Sequence, residues 1–183
     1  MAVSVGLGSR MASAVDYPVT GAPRIANLLV DARFDDANRI ARAAAIPGLD
    51  IIALPRDVLE IWYDQLKPAL DVATQTLAGV TTERGFFVLR TLAADHRLVV
   101  RFAATHYGPR DGRIAHRLEG PMALLTHCQH LSTLAPWQSV FGSAIRSCSA
   151  GLAKSLEFQS VASDARRDEA LVSWVIGPAA SRA

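Results

Sequence analysis

The chain has 183 residues, of which 50% are hydrophobic, and its formal net charge is +2. This length suits one domain with its own hydrophobic core. The arginines are spread along the chain and no basic stripe with interleaved aromatic residues occurs, which argues against a nucleic-acid partner. No apolar run approaches the ~18 residues of a membrane span. Two cysteines are too few for a disulfide framework, so the composition predicts a reduced, cytoplasmic protein.

Residues 1–23 are rich in glycine, alanine and serine and predict a flexible N-terminal arm. A targeting peptide would need a basic start and an apolar centre of about 7–15 residues, and this segment has neither. Residues 24–178 are predicted to form a single α/β domain, and residues 179–183 a tail.

The first half of the domain alternates between strand and helix patterns. Apolar runs predict strands at Ile25–Asp31, Leu49–Leu54, Leu77–Val80 and Leu98–Ala104. Helical spacing between them predicts a helix opened by Asp35 or Asp36 with Ala37, Ile40, Ala41 and Ala44 buried, a helix opened by Asp57 and ended by Pro68, and a helix after Thr82 with Phe86, Leu89 and Ala93 buried.

Helical crossovers of this length connect parallel strands by right-handed connections. The pattern therefore predicts a three-layer α/β fold with a mainly parallel sheet, flavodoxin-like or Rossmann-like, and with the first strand near its middle. Leu28 and Val30 are expected to be buried.

The second half of the domain predicts an added antiparallel edge. Arg113–Leu118 follows a turn signal at Pro109–Gly112 and is expected to return as an antiparallel strand. Helices are expected after Pro121 and over Trp137–Ile145, a polar loop over Ser155–Glu169, and a last strand at a sheet edge over Leu171–Ile176.

Polar residues follow the predicted parallel strands, where ligands bind in open α/β sheets. The candidate ligand or anion site at this edge consists of Asp31, Arg33, Thr81, Thr82, Arg84 and His106. Threonines at a helix start can accept hydrogen bonds from free N–H groups, and the dipole there favours an anion. The simpler alternative is that the threonines only cap their helix.

No complete catalytic or metal motif is present. The turn after the first strand contains no glycine, so the dinucleotide fingerprint is missing, and no Gly-x-Ser-x-Gly elbow occurs. His127 and His130 lie three residues apart, but two ligands do not make a metal site. The sequence therefore assigns no catalytic residue and no metal ligand.

A partner interface is the other functional prediction. The segment from Arg113 to Phe141 offers Arg117, Met122, Trp137 and Phe141, which are residue types that anchor protein interfaces. The alternative for the two aromatic residues is an ordinary place in the core.

Four segments, Val30–Phe34, Arg56–Leu66, Ala78–Ala93 and Leu171–Ile176, together resemble a family of small bacterial α/β proteins often labelled as twin-arginine signal proteins. Residues 1–23 lack the arginine pair of such signals, so a cytoplasmic location remains the prediction. Proteins similar to this family accompany the large subunits of prenylated-flavin (UbiD-like) decarboxylases as small partner subunits.

The resemblance implies a non-catalytic accessory subunit of a larger bacterial enzyme complex, of which the larger, catalytic subunit would hold prenylated FMN. A higher oligomer is compatible with it. The alternative is a stand-alone small α/β enzyme, or a domain that binds flavin or a phosphate ligand in the strand-end crevice.

Overall fold

A computed structural model of the protein describes residues 25–55, 57–108, 113–148, 153–161 and 169–179. These ranges form one seven-stranded sheet in the order β2-β1-β3-β7-β4-β5-β6. The strands are β1 Ile25–Val30, β2 Asp50–Ala53, β3 Thr76–Thr82, β4 Leu98–His106, β5 Arg113–Pro121, β6 Ala153–Val161 and β7 Leu171–Pro178.

The sheet is mixed, so the prediction of a mainly parallel sheet is wrong while the α/β class is confirmed. Strand β1 pairs in parallel with β2 and β3, whereas β7, β4, β5 and β6 form antiparallel pairs with their neighbours. The antiparallel strand predicted at Arg113–Leu118 is confirmed as β5, and the edge of the sheet lies one strand further, at β6. Neither a flavodoxin nor a Rossmann type is confirmed.

The last strand lies at the centre of the sheet rather than at an edge. Strand β7 inserts between β3 and β4, which moves β1 from the middle to the second position from one edge. All side chains from Leu171 to Ile176 are buried. A strand covered on both faces is apolar on both faces, and this short run is apolar except for Ser173. An edge strand would have shown polar residues on alternate positions.

Strand β6 forms the edge of the sheet beyond β5, in place of part of the loop predicted over Ser155–Glu169. Its polar residues alternate with the half-buried Leu156 and Phe158, which is the pattern of a strand with one covered face. Residues 162–168 of that predicted loop lie outside the described ranges.

Helices lie on both faces of the sheet, but over β5 and β6 the described helices lie on one face only. Helices α1, α5 and α6 pack on the face that carries Leu28 and Val30, and α2, α3 and α4 on the face that carries Leu29 and Trp174. Their bounds are α1 Asp35–Ala44, α2 Val58–Ile61, α3 Lys67–Val72, α4 Glu83–Asp95, α5 Met122–Leu131 and α6 Trp137–Ser147.

Pro68 does not end its helix, contrary to the prediction. A π-helical turn, Trp62–Leu66, joins α2 to α3, and the Lys67 N–H bonds to the carbonyl of Trp62, five residues back. Proline lacks an N–H and its ring crowds the carbonyl four residues earlier. The wider turn just before Pro68 accommodates both effects, and the helix continues to Val72.

The predicted core positions of the first half are confirmed. Leu28 and Val30 are fully buried or nearly so, as are the four apolar residues of α1 and the three of α4 named above. Among the described helices, none is long and apolar enough to cross a membrane. The predicted arm at 1–23, the turn at 109–112 and the tail beyond residue 179 lie outside the described ranges.

Gly79 on β3 provides the space into which Trp174 of β7 packs. A Cβ at residue 79 would lie 2.5 Å from the Trp174 ring and 2.7 Å from the Leu29 carbonyl oxygen. We expect Gly79→Val to lower the free energy of unfolding by about 1–3 kcal/mol or more, because overpacking displaces a buried indole. Urea unfolding measures the loss.

Gly85→Ala is the matched control for this substitution. A Cβ there meets only ordinary contacts with Thr81 and Thr82, at 3.4 Å or more. Alanine is the better helix former by about 1 kcal/mol, so this variant should be as stable as the parent or more so. Equal stability of the two variants would contradict the packing argument.

Candidate functional site

A cleft of about 260 Å³ opens where β1 and β3 end and α4 begins. Its walls also include Leu54 and Pro55, which follow β2, and Glu169, which precedes β7. The cleft brings together five of the six residues predicted for the ligand site, namely Asp31, Arg33, Thr81, Thr82 and Arg84. The sixth, His106, is not among the lining residues.

Asp31 and Arg33 form a bidentate ion pair inside this cleft. The Arg33 Nε and Nη2 atoms donate to the two carboxylate oxygens of Asp31 at 2.8 and 2.6 Å. The hydrogen bond to Asp31 and its charge raise the pKa of Arg33, and Glu169 adds to the effect. A carboxylate held at both oxygens is poorly placed to accept a proton from a substrate.

The hydroxyl groups of Thr81 and Thr82 bond within the protein. Thr82 caps α4 by accepting from the Gly85 N–H at 3.3 Å. Thr81 Oγ1 accepts from the Trp174 indole N–H at 3.1 Å and donates to the Thr82 carbonyl at 3.1 Å. The Glu83 N–H donates to the Ala170 carbonyl at 3.3 Å. These contacts favour the capping alternative over an anion cradle.

The remaining charges of the cleft give it no clear preference for an anion. Asp31, Asp57 and Glu169 line it together with Arg33 and Arg84, which amounts to three carboxylates against two guanidinium groups. Asp57 also caps α2 by accepting from the Leu59 N–H at 2.9 Å. Within the described ranges Arg84 forms no ion pair, and no cluster of three or more His, Cys, Asp or Glu could hold a metal ion.

His106 lies in the core instead, in a hydrogen-bonded row of four side chains. Its Nδ1 is 2.9 Å from Nδ1 of His116, and its Nε2 is 2.8 Å from the Ser173 hydroxyl. His116 Nε2 is 2.8 Å from the Ser160 hydroxyl. Both imidazoles are fully buried or nearly so. The row crosses β7, β4, β5 and β6, so it ties four adjacent strands together.

The row requires the two imidazoles to adopt complementary tautomers. One Nδ1 must carry the proton and the other must accept it, so in the neutral pair only one of the two rings has a proton on Nε2. A second excess proton would put two N–H groups face to face at the Nδ1 contact. The neutral or singly protonated pair is therefore the form that the folded state accommodates.

Trp137 and Phe141 surround these histidines, so the prediction of both as partner anchors is wrong. Trp137 is 2% exposed and Phe141 is 0% exposed. Their ring centroids lie 4.8 and 4.4 Å from that of His106. Helix α6 is amphipathic, and its aromatic side faces the sheet. Of the other predicted anchors, Met122 is exposed at the start of α5, and Arg117 is exposed on β5.

Sequence reasoning missed the role of His116, although β5 carried a signal for it. Ile114, His116 and Leu118 occupy alternate positions, so His116 shares the apolar face of its strand. A polar residue on that face implies a buried partner. Its ten-residue distance from His106 across a hairpin could have suggested which one.

A double-mutant cycle on the two histidines tests this row. Each of His106→Leu and His116→Leu removes the bond between the rings and should lower the free energy of unfolding by about 1–3 kcal/mol, because a buried polar partner loses a hydrogen bond. The double variant should lose less than the sum of the two, measured by urea unfolding. Strictly additive losses would show that the rings do not interact.

Cys128 and Cys148 are buried thiols outside any disulfide, without features of reactive groups. Burial raises the pKa of Cys128 and of Cys148 from the ordinary value of 9.0 to about 12. The folded state therefore favours the protonated thiols. Their contribution to stability is complete below pH 9 and is lost as the pH rises towards about 12.

Thiol labelling checks this environment. Iodoacetamide reacts with thiolates, so near pH 9 we expect both cysteines to react slowly in the folded chain and rapidly in denaturant. Mass spectrometry gives the extent of labelling. Equal rates in the folded and unfolded chain would contradict the burial of the two thiols.

A second surface feature is the face of β5 and β6 that no described helix covers, together with the adjoining side of α4 and the end of β4, which we call the open sheet face. Phe87, Arg90, Tyr107 and Arg117 line its cleft of about 290 Å³. Phe87 is 56% and Tyr107 37% exposed. The Arg90 guanidinium carbon lies 5.2 Å from the centre of the Phe87 ring.

Arg117 is held in place on the open sheet face by its neighbour across the strands. Its Nε donates to Glu157 Oε1 at 2.8 Å, and the two residues are directly opposite in the β5–β6 ladder. The hydrogen bond to Glu157 raises the pKa of Arg117, and the charges of Tyr107 and Glu157 add to the effect. Because both side chains are exposed, the pair orients Arg117 more than it stabilises the fold.

Comparisons of the chain with protein-family models, with curated protein sequences and with solved structures found no match. The resemblance of its four segments to small partner subunits therefore stays a prediction.

Proposed function

We propose that this chain is a non-catalytic accessory subunit that binds a larger enzyme protein through the open sheet face. The observation that carries the proposal is the unequal covering of the sheet. Over the outer strands β5 and β6, the described helices lie on one face only, and the other face exposes aromatic and arginine side chains beside α4.

The composition of this face favours a protein as its partner. Aromatic and arginine residues are enriched at the centres of protein interfaces, where their burial contributes most of the binding energy. Phe87 and Tyr107 supply apolar area, and Arg90 and Arg117 supply hydrogen-bond donors. Glu83 and Glu119 line the same cleft. Their negative charge would weaken the contact with a polyanion such as a nucleic acid, whose affinity depends on phosphate neutralisation.

The strand-end cleft supports the non-catalytic part of the proposal. An enzyme using acid–base or nucleophilic chemistry needs a reactive group that is free to act on the substrate. Here the Asp31 carboxylate is held by Arg33, and the two threonine hydroxyls bond to the backbone or to Trp174. The polar groups of the cleft mainly serve the fold.

The family resemblance names the class of partner in this proposal. The larger subunit would be a UbiD-like decarboxylase, and prenylated FMN would be bound by that subunit and not by this chain. The complex would form in the cytoplasm. In such a complex the accessory chain stabilises or solubilises the catalytic subunit by covering part of its surface.

Co-expression with the protein encoded beside it tests the proposal. We expect a stable complex that Phe87→Ala or Arg90→Ala weakens by about 2 kcal/mol each, or about thirty-fold in Kd, because both remove central contacts. Calorimetry measures the Kd. Leu134→Ala is the control, since Leu134 is 70% exposed in the connection between α5 and α6, on the other side of the sheet.

The alternative function makes the opposite prediction. If the chain is a stand-alone enzyme or a domain for flavin or phosphate ligands, the isolated chain should turn over a substrate or bind FMN or phosphate. Arg84→Ala and Thr82→Val should then abolish that activity while Phe87→Ala leaves it intact. Such a result would replace the accessory subunit with a ligand site in the strand-end cleft.

A further inference from the structure

The two edge strands of the sheet differ in how they are protected against another strand. Strand β6 carries Lys154 and Glu157 among alternating polar residues, and charges on an edge disfavour further pairing. Strand β2 at the other edge has no charge after Asp50. Its residues Ile51 and Ile52 and the following Leu54 are apolar, yet Ile51 is 50% exposed. A continuous apolar run is typical of a strand covered on both faces, and an edge strand without charges is open to further pairing.

The backbone of β2 has hydrogen-bonding groups on its open side. The Leu54 N–H donates to the Val30 carbonyl at 2.8 Å, so Leu54 directs its backbone groups towards β1. Backbone groups alternate in direction along a strand, which turns those of Ile51 and Ala53 away from β1. No strand within the described ranges pairs with that side. A second chain in extended conformation could bond to it.

An acidic groove of about 340 Å³ lies beside this edge, between β2 and the helix formed by α2 and the π-helical turn. Ile52 and Ile61 supply apolar walls, and Glu60 and Asp64 are its charged lining residues. Both carboxylates are on exposed residues, and neither forms an ion pair with a described residue. The groove therefore favours positively charged side chains.

We propose that β2 accepts an extended segment of another protein as an eighth strand, with lysine or arginine side chains of that segment over Glu60 and Asp64. Main-chain hydrogen bonds to Ile51 and Ala53 would provide affinity, and the acidic groove would select basic segments. This surface is separate from the open sheet face and does not depend on the function proposed for it.

A second copy of this chain fits the edge less well than a basic segment. Pairing of β2 with β2 of another molecule would bring the sequence Asp50-Ile51-Ile52-Ala53 to the groove, and it carries no cation. It would add a carboxylate near those already present. Like charges placed together across an interface oppose association.

A synthetic peptide of alternating lysine and valine is a suitable probe, and the glutamate–valine peptide is its counterpart. With the full chain, NMR should show the lysine peptide shifting and protecting the amides of Ile51 and Ala53, with at least ten-fold weaker binding of the glutamate peptide. Ala53→Pro removes an outward N–H and keeps the bonds to β1, so it should weaken the lysine peptide at least ten-fold.

The double variant Glu60→Gln/Asp64→Asn keeps the test decisive if proline disturbs the strand. It alters only exposed side chains and should also weaken the lysine peptide at least ten-fold. The control Asp35→Asn/Asp95→Asn removes the same charge from exposed residues elsewhere and should leave binding unchanged. Binding insensitive to the first pair, shifts confined to other strands, or no binding at millimolar peptide would overturn the proposal.

The free chain distinguishes the other occupants of this edge. Protection of the Ile51 and Ala53 amides that grows with protein concentration would assign the edge to a second copy. Strong protection at all concentrations without peptide would assign it to the chain's own residues. Either result would overturn the proposal of a basic partner segment.

Discussion

The packing of Trp174 against Gly79 joins the two halves of this sheet. Strands β1, β2 and β3 are connected by helices and run parallel, whereas β4, β5 and β6 form an antiparallel unit. Strand β7 pairs with both units, and its indole occupies the space left by the missing side chain of Gly79. The indole N–H bonds to Thr81, and its ring stacks with Phe86 of α4 at a centroid distance of 6.0 Å. The position of α4, and with it the strand-end cleft, therefore depends on this contact.

The same contact explains why a cleft in the usual place for ligands has few polar groups available for chemistry. Thr81 is used to satisfy the buried indole N–H, and Thr82 satisfies the first turn of α4. Buried donors need partners, and leaving one unpaired costs about 1–3 kcal/mol. The two hydroxyls predicted to bind an anion therefore form hydrogen bonds within the protein. The carboxylate of Asp31 is likewise bonded to Arg33.

Burial of aromatic residues is distributed unequally between the faces of the antiparallel half. On one face, Trp137, Phe141 and Phe158 enclose the His106–His116 pair. This gives the core a directed set of hydrogen bonds, because the two tautomers must match. On the other face no described helix covers β5 and β6, so aromatic and arginine residues beside α4 meet the solvent. We propose a protein partner for that face and an additional strand for the edge of β2, where no described strand pairs.

The sequence by itself determined the local structure. Helical spacing placed the buried positions of α1 and α4, the Asp57 and Thr82 caps follow from residue chemistry within three positions, and the apolar runs located β1 to β4. Each of these depends on neighbours close along the chain.

Only the tertiary structure decided where β7 goes, which aromatic residues face the core, and that His106 meets His116 and not the cleft. These outcomes depend on pairings between segments as far apart as β3 and β7, and periodicity within one segment does not specify its partner. Pro68 shows the same limit at short range, because the widened turn that accommodates it forms within a helix that packs against the sheet. For α1, α4 and the first strands the sequence determined which residues are buried, and packing between distant elements decided what those residues meet.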